Sequence, residues 1–244
     1  MSIYVWTSEI NNIYVWTTPV KEVYVWTTKI RPSWWKPWAN TLLYMPLNST
    51  DTYTDKSWNS RATTNTNVSF WTYQWVDCWY LNGTSAHIQI TPFAFPSELS
   101  LLIWFYPAWY TSWYDGKIFD ARASSYAFTS RYGSYAQTIW ISWYINWTQT
   151  FITDVSNKRV LFVMTSKSGS QTYQLLWDNM NVTKTSSLSF SSFTPSKINL
   201  WNEYNNGANR FFKWWMSECI LENKVRTAQE ISNYYNLTKW TYWL

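Results

Sequence analysis

The segment Leu81–Pro107, LNGTSAHIQITPFAFPSELSLLIWFYP, decides the fold. Its first half alternates Ala86, Ile88 and Ile90 with polar residues, which is the two-residue period of a strand buried on one face. Its second half, Leu99–Tyr106, is a continuous apolar run of strand length that stops at a proline. The segment therefore predicts two β-strands joined by a proline-containing connection.

Strand patterns continue on both sides of this segment. Val68–Tyr80 is rich in aromatic residues, Thr41–Leu47 is a short apolar run, and Lys117–Arg131 predicts two short strands about a Ser-Ser turn. Residues 48–67 are polar and predict a surface loop. Further strands are predicted over residues 138–154, 160–165, 172–182 and 198–223. Many short strands separated by turn signals predict an all-β sandwich.

One short helix is predicted after the last strand. Residues 227–230, TAQE, form a capping box in which the threonine and the glutamate satisfy each other's backbone N–H groups. Ile231, Tyr234 and Tyr235 then give an apolar face at helical spacing. The pattern predicts an amphipathic helix over residues 228–238 that lies on the sandwich.

The N-terminal residues 3–32 contain a decapeptide repeat, IYVWTSEINN, IYVWTTPVKE and VYVWTTKIRP. Each unit predicts a strand, a turn and a short strand, so the repeat predicts a tandem of β-hairpins. An isolated hairpin is marginally stable, so we expect the repeat to pack against copies of itself, a scaffold or the sandwich. The expected organisation is a hairpin repeat segment (1–33), a linker (34–40), a sandwich (41–226), and a C-terminal helix and tail (227–244).

Two segments resemble the laminin G-like, concanavalin A-like lectin sandwiches. In residues 81–107 the pattern LNG-S-x-h-x-I … hSLLhWFYP resembles the family's edge-to-core hairpin, in which a Trp closes the second strand ahead of a Pro, as Trp104 and Pro107 do. Residues 198–223 resemble the family's final hairpin. The repeat resembles YVGT-type units at the N-termini of phage structural and bacterial surface proteins. The resemblance implies a concanavalin A-like jelly roll and a non-catalytic, carbohydrate-binding adhesion module.

The tryptophan content is unusual. The chain has 22 Trp and 5 Gly, whereas Gly averages about 7% of residues. Many of the tryptophans lie where turns are expected, and Trp201 and Trp214 lie where the family has Gly. Our hypothesis is that most are glycines, encoded by UGA codons that were translated with the wrong code table. A residue with a side chain costs about 1–2 kcal/mol in a left-handed turn, so glycine is favoured there. If the tryptophans are misread glycines, they should therefore lie at such left-handed positions. The alternative is a Trp-rich protein with aromatic platforms for sugars.

Charge and hydropathy limit the classes of partner. The net charge of +5 is scattered along the chain, without the basic stripe that indicates nucleic-acid binding. No apolar run reaches the roughly 18 residues of a membrane span, and MSIYVWTSEI lacks the features of a signal peptide. We expect a virion or cell-surface protein that contacts a glycan or a host cell surface, and that self-associates or attaches to a particle through residues 3–32. Cys78 and Cys219 are interpreted as small buried hydrophobic residues.

Sugar binding, which the resemblance implies, uses aromatic faces with polar neighbours. Six residues lie in segments expected at the concave face or loop rim of the sandwich: Arg122, Tyr126, Tyr132, Tyr144, Asn202 and Tyr204. Ordinary surface or core packing remains the alternative for each of them. No cofactor is predicted. Calcium has candidates by residue type only, without an EF-hand or a run of carboxylates, and these are Asp115, Asp120, Asp154 and Asp178.

Catalytic signals are sparse. The one histidine, His87, alternates with core positions on a predicted strand, and no nucleophile-elbow motif is present. Glu218 and Glu222 lie four residues apart on one predicted strand, where related sandwich-fold glycoside hydrolases have E-x-D-x-E, but the middle residue here is Ile220. We therefore predict no enzyme, and interpret Glu218 as a structural acidic residue. The open alternatives are a purely structural virion decoration and, less favoured, a glycoside hydrolase.

Overall fold

The structure is a computed structural model that divides into two compact units, Met1–Trp38 and Ala39–Leu244. The residues it describes are 2–4, 14–15, 18–19, 22–25, 28–30, 39–46, 53–73, 76–82, 84–106, 115–123, 126–133, 138–143, 150–152, 158–167, 170–178, 180–187, 192–200 and 213–239.

The N-terminal unit consists of short strands formed by the repeat. The strands are β1 (Ser2–Tyr4), β2 (Tyr14–Val15), β3 (Thr18–Pro19), β4 (Glu22–Val25) and β5 (Thr28–Ile30). β2 pairs with β3 and β4 with β5, both antiparallel, and the register places Val15 opposite Thr18 and Val25 opposite Thr28. The second and third repeats are therefore β-hairpins, as predicted, although their connecting residues lie outside those described. β1 adds to β4 in parallel.

The second unit contains fifteen strands and a helix among its described residues. They are β6 (Thr41–Met45), β7 (Thr63–Thr66), β8 (Ser69–Tyr73), β9 (Val76–Asn82), β10 (His87–Ile90), β11 (Leu99–Tyr106), β12 (Asp115–Ala123), β13 (Tyr126–Gly133), β14 (Thr138–Trp143), β15 (Thr150–Ile152), β16 (Val160–Lys167), β17 (Ser170–Trp177), β18 (Met180–Ser186), β19 (Lys197–Leu200), β20 (Lys213–Glu222) and α1 (Ala228–Thr238).

These strands form two antiparallel sheets that enclose one apolar core. The seven-stranded sheet has the order β15-β14-β13-β12-β19-β10-β7, and the eight-stranded sheet has the order β18-β17-β16-β11-β20-β9-β8, with β6 also pairing with β20. Apolar residues of both sheets belong to the same buried cluster, including Ile90 and Leu200 from the first and Leu101 and Phe162 from the second. The predicted all-β sandwich, with an N-terminal hairpin segment and a C-terminal helix, is confirmed.

The two strands of the segment 81–107 form as predicted, but they are not a hairpin. β10 pairs with β19 and β7, whereas β11 pairs with β16 and β20, so the two strands belong to different sheets. Their connection crosses the sandwich and is held by a bridge in which Phe95 and Phe193 exchange backbone hydrogen bonds of 2.8 and 3.1 Å. The expected edge-to-core hairpin is therefore wrong, because the proline-containing connection is long enough to change sheets.

All eight residues of β11 are buried because both of its faces are covered. Leu99, Leu101, Ile103 and Phe105 belong to the core between the sheets. On the opposite face, Ser100 is covered by the segment before α1 and Trp104 by α1 itself. There the ring of Trp104 stacks on that of Tyr235 with centroids 5.7 Å apart, and Trp104 Nε1 donates to Thr238 Oγ1 at 3.2 Å. The run is therefore continuously apolar rather than alternating because β11 is covered on both faces.

The helix α1 has the predicted bounds, and its predicted capping box is present. The backbone N–H of Glu230 donates to Thr227 Oγ1 at 3.2 Å, and that of Thr227 donates to Glu230 Oε2 at 2.8 Å. Hydrogen bonds from Lys224 and Thr227 lower the pKa of Glu230 to about 2, so this carboxylate is charged at neutral pH. Among the residues that the structure describes, no helix has the length and apolar character needed to cross a bilayer.

We expect Thr227→Ala to lower the free energy of unfolding by about 1 kcal/mol, because the helix loses its N-cap acceptor. Thr227→Ser keeps a hydroxyl at the same position and should remain close to the wild type. Urea denaturation of the three proteins measures the difference. Equal stability of the alanine and serine variants would contradict a stabilising role for the capping box.

The polar segment 48–67 is only partly a loop. Thr63–Thr66 form β7, the edge strand of the seven-stranded sheet, so the loop prediction is wrong for these residues. The preceding turn is held by the buried carboxylate of Asp55, which accepts backbone hydrogen bonds of 3.0 Å from both Tyr44 and Arg61. Threonine favours strands, but the pairing with β10 is what selects the extended conformation here.

The steric expectation for tryptophan is wrong for the described residues. Trp71, Trp79 and Trp214 lie in strands; Trp201 lies outside the described residues. Positive φ among described non-glycine residues occurs only at Tyr53, Ser60, Asn67 and Asp178. No described tryptophan therefore occupies the left-handed conformation that would require glycine.

Both cysteines are buried thiols rather than a disulfide, as their interpretation as small hydrophobic residues requires. Cys219 belongs to the core between the sheets and is fully buried. Burial raises the pKa of its thiol well above the ordinary value, with smaller contributions from the nearby carboxylates of Glu218 and Asp55. Thiols in this environment are packing groups rather than nucleophiles.

Candidate functional site

A row of polar residues crosses three neighbouring strands of the seven-stranded sheet. Gln89 of β10 lies opposite Asn199 of β19, and Asn199 lies opposite Asp120 of β12. The strand neighbours Ile198 and Leu200 point into the core, so the three polar residues lie on the other face of the sheet. We call this the outer face, and we call Gln89, Asn199 and Asp120 the polar row.

Three apolar-polar-apolar triplets determine which face of each strand these polar residues occupy. These are residues 88–90 (IQI), 198–200 (INL) and 119–121 (FDA), and every apolar member is a buried core residue. A slip of one residue in any of these strands would expose two apolar side chains and bury a polar one in the core. The register is therefore strongly determined, and it aligns the three polar residues across the sheet.

The polar row combines burial with incomplete hydrogen bonding. Asn199 and Asp120 are each only 1% exposed, and Gln89 is half-buried. The amide nitrogen Nδ2 of Asn199 is buried and has no hydrogen-bond partner. An unpaired buried donor costs about 1–3 kcal/mol, and native proteins retain few of them. The row therefore offers a donor that the oxygen of a ligand or of a water molecule would satisfy.

The structure places the predicted sugar-binding residues differently. Arg122 lies in β12, two residues from Asp120, and the register places it opposite Lys197 of β19. Tyr126 and Tyr132 lie in β13, where the register places them opposite Ala123 and Gly116 of β12. The remaining three lie outside the described residues: Tyr144, Asn202 and Tyr204. The six residues stay a prediction.

The calcium candidates are dispersed. Asp115 begins β12 and Asp120 belongs to the polar row, whereas Asp178 is exposed on the other sheet and forms an ion pair of 2.9 Å with Lys158. Asp154 lies outside the described residues. Within the part of the chain that the structure describes, no group of three or more His, Cys, Asp or Glu side chains is arranged to hold a metal ion.

The histidine lies at one end of the outer face. His87 is half-buried and lies opposite Thr66 of β7. Its Nδ1 lies 2.9 Å from the backbone carbonyl oxygen of Ser85, a contact that orients the ring.

The two carboxylates considered for glycoside hydrolysis lie on the eight-stranded sheet under the C-terminal segment, and both are fully buried. Glu218 accepts a hydrogen bond from the hydroxyl of Tyr234 in α1. Glu222 is paired with Arg226, whose Nε and Nη2 donate to its two oxygens at 2.5 and 2.9 Å. Burial raises the pKa of Glu222, and Arg226 partly offsets that rise. These contacts favour the structural interpretation of Glu218.

Comparison with protein-family models gives no match, and comparison with curated protein sequences gives none either. Solved structures do match. The binding domain of botulinum neurotoxin serotype D aligns with a TM-score of 0.63 and 11% identity, over 81% of this chain and 51% of that chain. A binding domain of botulinum neurotoxin DC in complex with SialylT aligns with a TM-score of 0.62 and 11% identity over the same shares. This chain thus spans about half the length of these toxin domains.

A third alignment covers nearly the whole of the matched domain. Domain 4 of AbnA, a GH43 extracellular arabinanase from Geobacillus stearothermophilus, was solved in complex with arabinotriose. It aligns with a TM-score of 0.58 and 11% identity, over 80% of this chain and 97% of that domain. At such low identity the matches show the fold alone, which is an all-β jelly-roll sandwich.

Proposed function

We propose that the unit Ala39–Leu244 is a non-catalytic carbohydrate-binding module whose ligand site is the polar row. The observation that carries this proposal is the unpaired, buried amide of Asn199 between Gln89 and Asp120. Amides and carboxylates supply both donors and acceptors, which matches sugar hydroxyl groups that also donate and accept. A sheet whose register is strongly determined holds these groups in place, which reduces the entropy lost on binding.

The energetics of Asn199 support the same assignment. In the unliganded protein its unpaired donor opposes folding, and a ligand oxygen that accepts from Nδ2 would remove that cost. Removing this cost contributes to the binding free energy, because only the liganded state contains the hydrogen bond. Gln89, which is half-buried, is the more accessible member of the row, and Asn199 and Asp120 lie deeper.

The structural comparisons give independent support at the level of the fold. Domain 4 of AbnA was solved in complex with arabinotriose, and the alignment covers 97% of that domain. A toxin binding domain was solved in complex with SialylT. A shared fold does not transfer a binding site, so the residues of the site are argued from this chain alone.

We further propose that the module is displayed on a virion or a cell surface, as in a phage tail-associated adhesin. The repeats support this proposal, because their hairpins are too small to be stable alone and need a partner surface. Attachment to a particle or to other copies through residues 3–32 would supply that surface. A purely structural decoration that binds no glycan is the alternative.

We expect Asn199→Leu to weaken carbohydrate binding about tenfold or more, which corresponds to the loss of about one hydrogen bond. The change is nearly isosteric and removes an unpaired buried donor, so the folded protein should lose little or no thermal stability. A glycan array on the full chain identifies the ligand, and isothermal titration calorimetry measures both affinities.

Asn181→Leu is the matched control, since Asn181 lies exposed in β18 of the other sheet and should leave affinity unchanged. Full affinity in the Asn199→Leu variant would move the ligand site away from the polar row. A wild-type protein that binds no glycan on the array would overturn the module itself and favour the structural alternative.

A further inference from the structure

We propose that the ligand of the polar row is the end of an uncharged, linear glycan chain. The terminal sugar lies at Asn199 and Asp120, and the following units leave the sheet across strand β7. This inference rests on the proposed carbohydrate-binding function and specifies its ligand class. It follows from the strand register and from the change in side-chain exposure along the row.

Polar side chains continue from the polar row to the edge of the seven-stranded sheet. Thr64 of β7 lies opposite Gln89 of β10, so both side chains are on the outer face. β7 is the last strand in the order of this sheet. Neighbouring strands lie about 4.8 Å apart, so the distance across the strands from Thr64 to Asp120 is roughly 14 Å. One hydroxyl group cannot contact all four residues, whereas successive units of a sugar chain can.

Exposure decreases from the edge strand toward the middle of the sheet. Thr64 is exposed and Gln89 is half-buried. Asn199 and Asp120 are each only 1% exposed. Among these four side chains, solvent therefore reaches those at the β7 end and is excluded from those at the β12 end. The row is open at one end and closed at the other.

A site that is open at one end selects the end of a chain. A sugar unit inside a chain has a neighbour on each side, and each neighbour needs a way out of the site. The terminal unit has one neighbour, which can leave over Gln89 and Thr64 at the open end. Its own ring then lies at the closed end, beside Asn199 and Asp120.

The hydrogen-bonding groups at the closed end also favour a terminal sugar. A terminal unit has a free hydroxyl group where an internal unit has a glycosidic oxygen. The hydroxyl oxygen can accept from the unpaired Nδ2 of Asn199 while its hydrogen is donated to the carboxylate of Asp120, which lies opposite in the register. A glycosidic oxygen carries no hydrogen, so it can accept from Asn199 but cannot donate to Asp120.

The residues of the outer face favour an uncharged chain. The described outer-face side chains of β7 and β10 at the open end are Thr64, Thr66, His87 and Gln89, and none of these is a lysine or an arginine. At the closed end a carboxylate or sulfate on the sugar would face the like charge of Asp120, which is unfavourable. Neutral hydroxyl groups can hydrogen-bond at both ends of the row.

The first test is the stoichiometry of binding to the full chain. Calorimetry with linear arabinan, linear xylan and amylose is compared with calorimetry on their hexasaccharides and on hexagalacturonate. For the neutral series that binds, we expect one protein molecule per glycan chain at either length, because each chain has one end of the recognised kind. Recognition of internal units would instead place several protein molecules on each polysaccharide chain.

The second test uses Thr64→Val, which removes a hydroxyl group at the open end and keeps the shape of a residue that favours strands. Its affinity for the hexasaccharide should fall about threefold or more, the loss of about one hydrogen bond. Its affinity for the shortest sugar that binds should be unchanged, because that sugar occupies the closed end. Thr185→Val is the matched control, since Thr185 is an exposed threonine of the edge strand β18, and it should leave both affinities unchanged.

The outcomes separate this inference from the function on which it rests. Several protein molecules per polysaccharide chain, or an equal loss for short and long sugars in Thr64→Val, would overturn the inference and leave the carbohydrate-binding function standing. Tighter binding of hexagalacturonate than of every neutral hexasaccharide would do the same, as would binding only to branched glycans on the array. Absence of binding to every glycan would overturn both proposals.

Discussion

Replacing Arg226 with methionine is expected to destabilise the sandwich by about 3–5 kcal/mol, because it leaves the carboxylate of Glu222 buried without its partner. The Glu222 side chain is completely buried, the Arg226 side chain is 3% exposed, and two hydrogen bonds of 2.5 and 2.9 Å join them. The backbone N–H of Arg226 also donates to Ser100 Oγ at 2.9 Å, which ties the segment before α1 to β11. Urea denaturation monitored by tryptophan fluorescence measures the loss.

Two controls separate the buried charge from a simple loss of contacts. The double variant Glu222→Leu/Arg226→Met replaces the pair by apolar groups and should recover most of the stability, since such replacements are often neutral. Lys158→Met breaks an ion pair of similar length with Asp178, in which the two side chains are 49% and 40% exposed. This variant should lose about 1 kcal/mol or less of unfolding free energy. A double variant as unstable as Arg226→Met would show that packing, and not the unpaired charge, causes the loss.

The unfolding free energy lost in Arg226→Met should also depend on pH. Burial raises the pKa of Glu222 in the folded state above its ordinary value of 4.5, and Arg226 opposes that rise. Between these two pKa values the folded protein binds more protons than the unfolded chain, so this group's contribution to stability falls as pH increases. Without Arg226 the pKa of Glu222 rises further. The deficit of Arg226→Met relative to the wild type should therefore be larger at pH 8 than at pH 5.

Local patterns determine the elements that the sequence predicts well. The helix α1 begins and ends where the sequence predicts, because its capping box and the spacing of Ile231, Tyr234 and Tyr235 are contained within one short segment. The hairpin β12–β13 is predicted for the same reason, since both strands flank a Ser-Ser turn. By contrast, β10 and β11 are predicted as strands, but no local signal shows that they belong to different sheets.

The polar row illustrates what sequence patterns omit. Each member lies within an apolar-polar-apolar triplet, which is a visible signal, yet such triplets occur in any half-buried strand. The pairing of β10 and β12 with β19 is what brings Gln89, Asp120 and Asn199 together, and these strands are distant in sequence. The sequence predicts Arg122, Asn202 and four tyrosines for sugar binding and offers Asp120 only as a calcium candidate, so it predicts neither Gln89 nor Asn199 as a site residue.

Replacing Trp79 with glycine is expected to lower the free energy of unfolding by about 3–5 kcal/mol, the cost of removing a large buried side chain. Trp79 is 2% exposed, and its ring centroid lies 4.1 Å from that of Tyr53 and 5.8 Å from that of Phe70. Trp58 and Trp71 are 82% and 57% exposed, so their replacement by glycine should cost about 1 kcal/mol or less, chiefly as backbone entropy. Urea denaturation of the three variants measures the contrast.

The contrast tests the hypothesis that the tryptophans are misread glycine codons, which predicts that glycine at residue 79 stabilises the native protein. One observation favours that hypothesis, because the buried indole Nε1 of Trp79 has no hydrogen-bond partner and such a donor costs about 1–3 kcal/mol. Trp79→Phe removes this donor and keeps an aromatic ring, so it should be close to neutral. Higher stability of Trp79→Gly, together with UGA at its codon, would establish misreading in the core. A large loss, together with UGG, would restrict the hypothesis to exposed positions such as Trp58 and Trp71.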